Sequence, residues 1–61
     1  MSRAYQYTVY LNGNEVEQDY GFDSRYEAES EAGFAIETLL QCGYEDKGYR
    51  ESDFVIEVRE M

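Results

Sequence analysis

Sixty-one residues with 14 Asp and Glu against 5 Lys and Arg give a formal net charge of −9. A chain this short has room for one core and none for a deep cleft beside it, so its function has to lie on the outside. The charge weighs against direct binding to nucleic acid or to an anionic membrane, whose phosphates would repel it, while a hydrophobic fraction of 43% with seven Tyr and three Phe is more than disordered chains carry.

The first element is read over Ala4–Leu11. Tyr5, Tyr7, Val9 and Leu11 share one parity and Gln6, Thr8 and Tyr10 the other; aromatic and β-branched residues at period two define a half-buried strand. Met1 to Ala4 lead straight into this alternation without the apolar block of a secretory signal. Asn12-Gly13 follows, the pair that a type I′ hairpin turn asks for because both central residues need positive φ. A second strand is expected from Asn14 to about Phe22. A two-residue loop would pair Val9 with Val16, Tyr7 with Gln18 and Tyr5 with Tyr20 on the inner face. On the outer face it would pair Tyr10 with Glu15, Thr8 with Glu17 and Gln6 with Asp19.

Ser24-Arg25-Tyr26-Glu27 has the form of a capping box and opens a helix. Glu27, Glu29 and Glu31 crowd its first turns, where the helix dipole favours negative charge. At 3.6 residues per turn Ala28, Ala32, Ala35, Ile36, Leu39 and Leu40 fall on one side of it, and Gly43 is placed to stop it. Residues 43–52 are glycine-rich and polar and read as a loop. A third strand is expected from Asp53 to Glu60, with Phe54, Ile56 and Val58 inward and Val55, Glu57 and Arg59 outward. The expected fold is α+β: a single domain over 1–61 of order β-β-α-β, in which a three-stranded antiparallel sheet of order 2-1-3 carries one helix on one face. A right-handed crossover is expected between the second and third strands.

The chain has no histidine, which removes the usual general base near neutral pH and the commonest metal ligand. The lone Cys42 supplies neither a disulfide nor a zinc site, and it is expected to be a small buried hydrophobe at the edge of the helix's apolar side. No calcium loop or glycine-rich phosphate loop is present. The expectation is a non-enzymatic protein without cofactor or metal. One cysteine and no apolar run near the roughly 20 residues of a membrane span place it in the cytoplasm.

Seven acids lie from Glu15 to Glu31 against the single base Arg25. Glu15, Glu17 and Asp19 would share the outer face of the second strand about 6.6 Å apart, comparable to successive phosphates on one nucleic-acid strand. Asp23 lies just beyond, and Glu27, Glu29 and Glu31 add the start of the helix. Two explanations stand side by side for such a ridge. One is solubility and protection of a sheet edge; the other is an anionic surface for a basic partner. Phe34 falls on the polar side of the helix, out of place by pattern, so it either packs under the 43–52 loop or anchors a partner. Tyr10, Tyr44 and Tyr49 are expected to be exposed, and rings beside carboxylates suit arginine-rich surfaces.

In its length, absence of His, single Cys, acidity and β-β-α-β order, the chain resembles small acidic phage-encoded anti-CRISPR proteins that mimic nucleic acid. The resemblance rests on these general features and on no shared motif. It implies an inhibitor acting in the host cytoplasm that occupies the basic nucleic-acid-binding surface of a CRISPR effector or other nucleic-acid-handling complex. The expected partner-binding residues are Glu15, Glu17, Asp19, Asp23, Glu27, Glu29, Glu31, Phe34 and Tyr10, in a monomer or a homodimer. The alternative is a small adaptor or accessory subunit that binds through exposed aromatics and is charged for solubility alone.

Overall fold

Strand β1 (Tyr5–Leu11) is the centre of the molecule, because its odd-numbered side chains are the ones the helix covers. The computed structural model describes residues 4–61, so the reading of Met1 to Arg3 lies outside the described residues. Asn12 at φ 54° and Gly13 at φ 80° form the turn that this dipeptide favours, and strand β2 (Asn14–Phe22) returns antiparallel. Helix α1 (Arg25–Leu39) follows, and strand β3 (Phe54–Glu60) pairs antiparallel with the other side of β1. The sheet order is β2-β1-β3, the α+β topology that the alternation and capping signals predict.

The start of α1 is fixed locally. Ser24 Oγ accepts from the Glu27 N–H at 3.1 Å. The Glu27 carboxylate reaches one residue further back than a capping box requires and accepts from the Asp23 N–H at 2.8 Å. Ala28 and Ala32 are fully buried and let the helix sit close on the sheet; Ile36 joins them, with Tyr7, Val9, Leu11 and Phe54 from below. The helix then widens into a π-type turn over Leu40–Tyr44. Gly43, at φ 136°, ends it with a conformation that disfavours a side chain. The wider turn shifts the side chains beyond Leu40, and Cys42 is exposed, against the expectation of a buried hydrophobe.

The 43–52 segment holds two short 3₁₀ turns, Glu45–Lys47 and Glu51–Asp53. Asp53 therefore ends a turn and β3 begins at Phe54. Tyr44 packs on Phe54 and on Tyr49, each with ring centroids 5.9 Å apart. These two tyrosines are half-buried and cap one end of the core, which corrects the expectation that they are exposed. Tyr10 is also half-buried, its hydroxyl donating to Glu57 Oε1 at 3.2 Å.

One part of the expected register fails. Tyr10 faces Glu15 as expected, but the ladder then slips: Val9 pairs with Glu17, Thr8 with Gln18, Tyr7 with Asp19 and Gln6 with Tyr20. Val16 is the extra residue of a β-bulge, and both it and Glu17 oppose Val9. Val16 keeps its place against the core, but the side chains from Glu17 to Tyr20 move to the opposite face. A second slip at Gly21, whose φ is 95°, brings Phe22 opposite Tyr5 and stacks its ring on Tyr7 at 5.6 Å.

Candidate acidic cleft between the second strand and the helix

The bulge redistributes the acids. Residues directly opposite each other in an antiparallel pair point to the same face. Glu17 and Asp19, opposite the buried Val9 and Tyr7, therefore lie on the helix side of the sheet, and Glu15, opposite Tyr10, stays on the open side. This corrects the expected outer-face row of Glu15, Glu17 and Asp19. Tyr20, expected inward, is instead 67% exposed.

Helix α1 meets these acids from above. A cleft of about 350 Å³ lies between β2 and α1, lined by Tyr7, Glu17, Glu31, Phe34, Thr38 and neighbouring apolar atoms of the helix. Its presence follows from dimensions: one helix, about 10 Å across with its side chains, sits over β1 and leaves the margins of a three-stranded sheet uncovered. On the β2 margin the exposed groups are carboxylates. Glu27 and Glu31, one turn apart, share this flank of α1. Glu29 lies about 160° round the helix axis from Glu31 at 3.6 residues per turn, so it leaves the expected ridge. Asp23 sits at the cap of the helix, where its backbone N–H holds Glu27.

Tyr7 registers the electrostatics of the cleft. Its pKa is raised from 10.0 to about 12, first by burial and then by the negative charges of Glu17, Asp19 and Glu31. Three carboxylates from two elements thus act on one phenol. Among the described residues the one ion pair is Arg59 with Glu57 at 3.9 Å, on the open face of the sheet. Arg25 turns its guanidinium to the Val58 carbonyl at 3.4 Å, and Lys47 lies 5.4 Å over the Tyr44 ring. The basic side chains at Arg25, Lys47 and Arg59 are therefore engaged away from the cleft.

Phe34 stands at the rim. It is 62% exposed, so it is not packed beneath the 43–52 loop. It also borders a second hollow of about 300 Å³ with Ser30, Gly33, Glu37 and Glu51. Of the expected partner-binding residues, the structure brings Glu17, Asp19, Glu31 and Phe34 together, with Glu27 on the same helix flank. It separates Glu15, Tyr10 and Glu29 from them. Tyr7 and Thr38 belong to the cleft and carry no sequence signal for it, since Tyr7 reads as an ordinary core position. Tyr26, 79% exposed in the first turn of α1, is a further aromatic that pattern alone does not single out.

No group of three or more potential ligands is placed to hold a metal ion among the described residues, and no helix is long and apolar enough to cross a membrane. No protein-family model, curated protein or solved structure matches the chain.

Proposed function

We propose that this chain is a non-enzymatic inhibitor that mimics nucleic acid. It binds, from the cytoplasm, the basic nucleic-acid-binding surface of a CRISPR effector or other nucleic-acid-handling complex. The observation that supports this reading best is the gathering of Glu17, Asp19 and Glu31 around one cleft with no cation of the described residues paired to them. Like charges held together cost stability, and edge protection needs only one or two of them. Glu17 and Asp19, two residues apart on one strand face, are spaced about 6.6 Å, so a row of lysines or arginines that accepts phosphates can accept them. Phe34 at the rim offers a ring on which a guanidinium can stack.

The test is charge reversal in the cleft against charge reversal outside it. Glu17→Lys/Asp19→Lys/Glu31→Lys should abolish displacement of labelled DNA or RNA from the target complex, and Glu15→Lys should leave it within a few-fold of the parent. Normal inhibition by the triple variant would dismiss the cleft as the binding surface.

A second reading has its own support. Tyr20, Tyr26 and Phe34 are all exposed large rings, as an adaptor that binds through aromatics would need. Under it, Phe34→Ala weakens binding more than the triple reversal, and the affinity changes little with salt.

A further inference from the structure

The two edges of the sheet are built differently. The β2 edge is interrupted by two register slips and carries Glu15, Glu17 and Asp19, devices that keep a strand from pairing with another chain. The β3 edge has no such slip, although it carries Glu57, Arg59 and Glu60 and the Arg25 guanidinium lies on its Val58 carbonyl. It pairs with β1 in unbroken register over seven residues, contains no proline or lysine, and exposes Val55 by 61% and Ile56 by 37%. Ile56 points to the helix side of the sheet, opposite Val9, beyond the reach of the helix. An unbulged edge with an apolar row on one face is a template for a further strand.

We propose that the outer edge of β3, with Arg25 displaced from the Val58 carbonyl, binds a second copy of this chain, strand to strand and antiparallel, to make a six-stranded sheet with both helices on one side. What commits the site to a second copy is the self-complementarity of the β3 sequence. A two-fold axis normal to the sheet matches the faces of the two copies only if it passes between one residue and its own counterpart.

Four centres are available. Centred on Val55, Asp53 opposes Glu57; centred on Glu57, that residue opposes itself; both set like charges against each other. Centred on Val58, Ile56 opposes Glu60. Centred on Ile56, Phe54 opposes Val58, Ile56 opposes Ile56, and Asp53 opposes Arg59 at both ends. That last register alone combines an apolar row across the helix side with opposite charges facing each other on the open side. The mutual repulsion of two chains of net charge −9 opposes the contact at low salt and is screened over about 10 Å at 0.1 M. Pairing therefore strengthens with salt, the reverse of binding to a basic partner.

Sedimentation equilibrium of the full chain under reducing conditions tests this. At about 0.15 M and about 0.5 M salt, the average mass should climb toward twice the chain mass as concentration rises from micromolar to hundreds of micromolar, sooner at the higher salt. Ile56→Lys, which sets two lysines face to face, should remain monomeric throughout. Val55→Lys places its charge opposite Glu57 of the second copy and should dimerise at least as well as the parent. If Ile56→Lys does not fold by circular dichroism, Ile56→Cys in a Cys42→Ser background takes its place and should cross-link on mild oxidation where Val55→Cys does not. A monomer at every concentration and salt, growth past the dimer, dimerisation of Ile56→Lys, or cross-linking of Val55→Cys as efficient as that of Ile56→Cys would each overturn the proposal.

Discussion

Tyr7 belongs to two parts of the molecule at once. Its ring stacks on Phe22 in the core, and its hydroxyl end feels Glu17, Asp19 and Glu31. Because its folded pKa lies near 12 and its unfolded value near 10, the native state holds this proton more tightly. The corresponding stability is fully present below about pH 10 and is lost as pH rises toward 12. An absorbance titration of the tyrosines should show an ionisation near pH 12 that Tyr7→Phe removes. Glu17→Gln or Glu31→Gln should move it downward, since each deletes a charge that opposes the phenolate. The same neutralisations should raise the melting temperature by about 1–2 °C by relieving repulsion while weakening inhibition. A stabilised variant with reduced binding is the trade-off expected of a working surface.

At the scale of the elements, three short signals carry most of the structure. Asn12-Gly13 sets the hairpin, Ser24 with Glu27 starts the helix, and the alternation of β1 and β3 fixes which face is covered. Ser24→Ala should cost about 1 kcal/mol through loss of the cap. Ala32→Leu should cost about 1–3 kcal/mol, because that alanine is fully buried against the sheet; chemical denaturation reads both.

The acidic cleft was legible only as a quantity of charge. Counting from the hairpin turn at period two puts Glu17 and Asp19 on the wrong face, because the residues around Val16 carry no mark of a bulge. Val16 is apolar and packs inward in either register, so the pattern up to that point is satisfied. Beyond it, Tyr20 is an apolar-type residue at a position that looks inward, and only the pairing with Gln6 shows it outside. The slip at Gly21 did have a mark in the sequence, since a glycine inside a strand is the usual sign of a bulge, but counting at period two passes over it. The helix ended where Gly43 predicts, but the π-type turn before it, which exposes Cys42, has no signature in the composition.

For the whole molecule, charge governs how it behaves toward others and toward itself. Raising salt from about 0.05 M to 0.5 M should increase thermal stability, because self-repulsion among unpaired carboxylates is screened. Over the same range, affinity for a basic partner should fall steeply. The two trends in opposite directions distinguish charge that serves recognition from charge that serves solubility, for which only the first trend is expected.

The most direct measurement is a comparison of what the immobilised chain retains from a lysate at about 0.1 M salt with what Glu17→Lys/Asp19→Lys/Glu31→Lys and Glu15→Lys retain. Nucleic-acid-handling proteins held by the parent and by Glu15→Lys, released by a salt step and absent from the triple variant, are the predicted result. Retention of the same proteins by the triple variant, or their persistence through the salt step, would contradict an anionic cleft as the binding surface.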